Sequence, residues 1–175
     1  MNDAGQSAPG KSVDKRRWFD DLRVGESFLT HTVVIRENDI IDFARRYYAQ
    51  WFHLDAEAAK RSIFGGLSAP GFQTAAMLWG MTVEAGYFRD SSIAGLGLEA
   101  LRWSKPFLAG DSLTVRVSVL QLRPSASRGD CGVARLRYEG INQRNEVIIA
   151  FEMTQLLLRR PVQERAVGAG LTVRA

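Results

Sequence analysis

A chain of 175 residues holds one domain and leaves little room for a second. With hydrophobic residues at 46% and charged residues at 24%, it has the balance of an ordinary soluble globular protein. The net charge of +4 is spread over scattered arginines, with no basic run interleaved with aromatics, which argues against nucleic acid as a partner. The single cysteine, Cys131, rules out an internal disulfide framework and fits a reducing cytoplasm. Two histidines far apart in sequence do not make a structural zinc site. The richest apolar stretch, Ala75 to Met81, is interrupted by Thr82 and Glu84, too soon for a membrane span.

Residues 1–17 read as a disordered arm, since the stretch to Lys15 is polar and has no apolar leader region. Order is expected from Trp18. Ser27 to Ile35 is rich in Phe, Thr and Val and reads as a strand. The period then changes: Ile40, Phe43, Ala44 and Tyr47 recur at helical spacing after Asn38 and Asp39, giving a short helix over Asp39 to Tyr47 with Tyr47 in the core. Asp55 to Arg61 is a second helix on its alanines. A glycine- and proline-bearing loop, Gly65 to Gly71, leads into a long helix over Phe72 to Tyr87. Its stripe of Phe72, Ala75, Ala76, Trp79, Val83 and Tyr87 is the expected core face, and a helix so apolar all round is a buried one. Strands follow at Leu96 to Trp103, around Leu113 to Val119, around Ala134 to Tyr138, and over Val147 to Leu158, with turns at Pro106, Gly110-Asp111 and Asn142 to Glu146. Residues 161–175 read as a tail. The domain, residues 18–160, is thus α+β: an antiparallel sheet wrapped around a long central helix, with edges that favour a homodimer or higher homo-oligomer.

Several segments carry a resemblance. Trp18-Phe19-Asp20-Asp21-Leu22-Arg23-Val24-Gly25, Phe52-His53-Leu54-Asp55 with Ala58-Ala59-Lys60, Phe64-Gly65-Gly66-Leu67, Gly71, Pro106 and Gly110-Asp111 stand in one order along the chain. In this the sequence resembles the MaoC-like dehydratases and (R)-specific enoyl-CoA hydratases, from about Trp18 to Arg160. The resemblance implies the hotdog fold. It also implies an enoyl-CoA or 3-hydroxyacyl-CoA thioester as substrate, a hydro-lyase reaction, and no cofactor or metal beyond the CoA of the substrate.

In that family an Asp, and a His five residues later, hold and activate a water. The helix that follows the glycine loop turns its N–H groups toward the thioester oxygen. Here the stretch reads Tyr48-Ala49-Gln50-Trp51-Phe52-His53. The resemblance makes His53, Tyr48 and Gly71 the catalytic candidates, with Gln50, Trp51, Phe52, Gly66, Phe72 and Trp79 as substrate-binding candidates. Tyr48 stands where the family has its Asp, and a phenol with an ordinary pKa of about 10 is a donor and a poor base. Three roles stay open for it: a new acid, a residue that shapes the pocket, or filler. Trp51 and Trp79 are expected either to narrow the acyl pocket or merely to pack, and Arg102 and Lys105 to meet the CoA phosphates. A thioester-binding or scaffold subunit without turnover is the alternative function. Thioester hydrolysis is a third, with only Glu84 as an acid on the central helix.

Overall fold

The computed structural model describes residues 16–161; most of the arm and tail expected at the two termini lies outside these residues. A single 3₁₀ turn, Phe19–Asp21, precedes β1 (Ser27–Val34). Then come α1 (Glu37–Tyr47), α2 (Trp51–Leu54), α3 (Ala56–Ala59) and α4 (Gly71–Glu84). Four strands close the described chain: β2 (Ser92–Trp103), β3 (Ser112–Pro124), β4 (Cys131–Asn142) and β5 (Val147–Leu158). All pairings are antiparallel, in the order β1-β3-β4-β5-β2. One face of this sheet curls against α4, and the layout is the hotdog fold.

Alternation sorts the two faces of the sheet. Leu113, Val115, Val117 and Val119 of β3 are buried, as are Leu136 and Tyr138 of β4. Tyr138 stacks on Phe151 of β5 at 5.0 Å between ring centres. On the outer face Arg135 pairs with Glu152 and Glu99, and Arg116 with Glu139, so that face is a charged ladder. The central helix lies against β1, β3 and β4. Gly140 of β4 allows this approach: a Cβ there would stand 2.7 Å from Ile149 and 3.0 Å from Leu78.

Two expectations need correction. The core face of α4 is Thr74, Leu78, Met81 and Thr82, with Gln73 beside it. The Phe72–Val83 side of the expected stripe turns outward, with Phe72 71% and Val83 45% exposed. These buried polar groups are tolerated because each finds a backbone carbonyl: Thr82 donates to Leu78 O of its own helix at 2.9 Å, and Gln73 Nε2 donates to Asp39 O of α1 at 2.8 Å. The helix also stops at Glu84, short of Tyr87, where Gly86 takes φ +80° and ends it as glycine does after a C-cap.

The second correction is at Asp55. A further short helix, α2, precedes the helix expected over Asp55 to Arg61, which is the shorter α3, with Asp55 extended at its N-cap. Its carboxylate accepts from Ala58 N at 2.9 Å, an N-cap bond that starts the second helix and stops the first. Among the described residues no helix is long and apolar enough to cross a membrane.

Candidate active site

The site begins with backbone. The loop ahead of α4 is stapled to the segment after β2: Ala69 N donates to Phe107 O at 2.8 Å, and Ala109 N donates to Leu67 O at 2.9 Å. Asp111 steadies the far side. Its carboxylate accepts from Leu108 N at 3.0 Å and from the Gln143 side chain. Ser68 sits in the middle of this staple, and its carbonyl oxygen is 2.6 Å from Nδ1 of His53 on α2. A carbonyl oxygen only accepts, so Nδ1 carries the proton and Nε2 is left with the lone pair. Burial, with the imidazole 4% exposed, holds its pKa below the ordinary 6.5, and the Ser68 bond opposes part of that shift. His53 is therefore a neutral base at neutral pH.

His53 opens onto a cavity of about 770 Å³, a size that suits a small organic ligand. Tyr48, Phe52, Gly71 and Phe72 also line it. Tyr48 is 52% exposed, with its ring centre 5.7 Å from that of His53. Tyr47, expected in the core, instead lines this cavity and is 66% exposed; the inward face of α1 belongs to Ile40 and Ala44. No Asp or Glu is among the lining residues, and Glu84 lies at the far end of α4, facing His31 at 3.5 Å.

The other sequence candidates fall outside the cavity. Gln50 is the exposed residue before α2. Trp51 is half exposed and packs edge-on against Phe52 at 5.3 Å. Gly66 lies next to Leu108. Trp79, two turns along α4, meets Tyr138 at 6.0 Å, so it packs on the sheet and does not narrow the cavity. Lys105 does line the cavity, but its ammonium is paired with Glu146, whose carboxyl it helps to hold down to about 2, with further bonds from Asn142 and Arg144. Arg102 does not line the cavity and donates to the Leu101 carbonyl at 3.0 Å.

The N-terminus of α4 also meets this space. Pro70 at the N-cap offers no side-chain bond, and no acceptor for the amides of Gly71, Phe72 and Gln73 is found among the described residues. These N–H groups carry the positive end of the helix dipole. Two neighbours were not legible in the sequence. Ser68 acts through its carbonyl, for which residue type is no signal. Trp103, at the end of β2, donates from Nε1 to Gly71 O at 2.9 Å, and nothing in the spacing of an edge strand points to that contact.

A family model described as MaoC like domain matches residues 20–138. The chain belongs to the MaoC-like domain family. Its relatives include the uncharacterized protein YdeM of Bacillus subtilis, 29% identical over 141 residues, which covers 81% of this chain and 99% of that protein. A MaoC-like dehydratase from Rhodospirillum rubrum has a solved structure that superposes with a TM-score of 0.76 at 35% identity, over 83% of this chain and 99% of that one. Mesaconyl-CoA hydratase of Cereibacter sphaeroides is 27% identical over 82% of this chain, which spans only 42% of that longer protein.

Proposed function

We propose that this MaoC-like chain is an acyl-CoA hydratase or dehydratase that interconverts a 2-enoyl and a 3-hydroxyacyl thioester. The observation that carries the reading is His53, buried and neutral, with Nε2 free beside the uncapped start of α4. In the hydration direction, Nε2 takes a proton from water as the water oxygen bonds to C3. The electron pair of the double bond moves toward the thioester oxygen, which accepts hydrogen bonds from the N–H groups of Gly71 and Phe72. The proton held on His53 then passes to C2, so base and acid are one residue. Mesaconyl-CoA hydratase among the relatives supports a CoA thioester as substrate. The unpaired edge of β2, with Ile93, Leu96 and Leu98 exposed, supports a homodimer.

The test is the absorbance of the enoyl thioester band with purified protein and crotonyl-CoA or longer homologues, with free thiol followed in parallel. Loss of the band without thiol release is the expected result. No loss at any chain length and high enzyme concentration ends the reading. One observation favours a second: no carboxylate lines the cavity. A thioester-binding subunit without turnover would bind acyl-CoA in the same assay and leave the band intact.

A further inference from the structure

We infer that Trp103 is a positioning residue that pins and polarises the Gly71–Phe72 peptide, whose N–H is one of the donors to the thioester oxygen. The inference rests on the reading of the α4 N-terminus given above and adds a residue outside the helix to it.

Three observations converge on this peptide. The Trp103 indole donates to Gly71 O at 2.9 Å. A Cβ at position 71 would fall 2.7 Å from Cε2 and Nε1 of the same indole, so glycine stands there because the ring occupies the space. Its backbone is not in the left-handed region, so conformational freedom is not what demands glycine. The ring is itself held edge-on by Phe72 at 5.5 Å. Trp103 stands at the end of the edge strand β2, 46% exposed, beside the cavity it lines.

The peptide bond supplies the mechanism. A trans peptide is planar, with its C=O and the following N–H on opposite sides. The Gly71 carbonyl points forward, toward the next turn of α4, and accepts from Trp103; the Phe72 N–H points the opposite way, out of the helix start, where the cavity lies. A donor on the carbonyl fixes the plane and therefore the direction of the N–H. It also draws electron density toward the oxygen, which strengthens the N–H as a donor, since chained hydrogen bonds polarise one another. The enolate oxygen carries more charge than the ground-state carbonyl, so the effect falls on the chemical step more than on binding.

Trp103→Phe keeps most of the ring and removes only the donor. The expected result is a fall in kcat of about three- to tenfold, the range of one neutral hydrogen bond, with KM unchanged and a melting temperature near that of wild type. A second readout does not depend on turnover: the infrared carbonyl stretch of butyryl-CoA labelled with ¹³C at the thioester carbon. Binding to wild type should lower its frequency, and binding to Trp103→Phe should lower it less. An active wild type with Trp103→Phe unchanged in kcat and in the carbonyl shift overturns the inference and leaves the hydratase reading standing. A rise in KM alone also overturns it, because the indole would then serve binding only. If wild type hydrates no enoyl thioester, the reading falls, and the carbonyl band decides the inference alone. A shift weakened by the substitution supports it, and an equal or absent shift overturns it.

Discussion

The two walls of the cavity are built differently. On one side His53, Ser68, Ala69 and Phe107 are buried; Ala69 is tied to Phe107 through the backbone, and the His53 imidazole to the Ser68 carbonyl. On the other side Tyr47, Tyr48, Phe72 and Trp103 are large rings left exposed, held by ring contacts and one indole hydrogen bond. The bonded wall fixes the position of the His53 imidazole. The aromatic wall forms the open side of the cavity, and its exposed members change at small cost to the fold. Tyr48 belongs to this exposed wall, so the residue at position 48 can vary while the bonded frame stays in place.

Substitutions on the two walls should separate these roles. His53→Ala should lower kcat/KM by about 10²- to 10⁴-fold, the usual contribution of one general base, as read from the enoyl band. Phe107→Ala, in the same wall, should cost about 3–5 kcal/mol of stability by denaturant unfolding, because it empties a buried aromatic position beside the staple that holds Ser68. Tyr48→Asp, in the aromatic wall, should raise turnover by on the order of a hundredfold by restoring a carboxylate base next to His53; an unchanged rate would show that position 48 lies outside the reacting geometry. Tyr47→Ala should shift stability by no more than about 0.5 kcal/mol, as exposed positions do.

The pH dependence follows from His53 alone. Its pKa is lowered in the folded protein from 6.5, so the neutral base persists through pH 6.5 and kcat/KM should fall only below it. The same shift has a stability consequence. Below pH 6.5 the unfolded chain binds the proton first, so stability is complete above that value and declines as pH falls through the lower folded pKa. His53→Gln should flatten this part of the pH-stability curve, measured by thermal unfolding.

Much of the fold was legible because strand alternation survives in the sequence. β5 runs over Val147–Leu158, as the pattern predicts, and α1 and α4 stand within a few residues of their expected places. The orientation of α4 was not legible. A helix apolar nearly all round gives no contrast by which to choose a face, and the sheet receives Leu78 in the gap left by Gly140. Asp55 was read as a residue inside a helix, yet its cap bond is a local competition that periodicity does not register. In the site, the ordered motif led to His53, Tyr48 and Gly71, which line one cavity. It led equally to Trp51 and Trp79, which do not line it. Tyr47 misled for a different reason: it shares the face of Ile40 and Ala44 but is the last residue of α1, where that face runs past the core and onto the cavity.

The strand order has a consequence for synthesis. β2 hydrogen-bonds only to β5 among the described strands, so the segment that leaves α4 emerges from the ribosome long before its partner exists. The β3–β4 and β4–β5 hairpins can zip locally, whereas β2 must wait, with Ile93, Leu96 and Leu98 unpaired and apolar. Such non-local closure is slow, and an unmatched edge held open during translation invites association with other nascent chains. β1, whose partner β3 lies further along the chain still, and the stretch that ends at Trp103 are thus the two segments in need of chaperone cover.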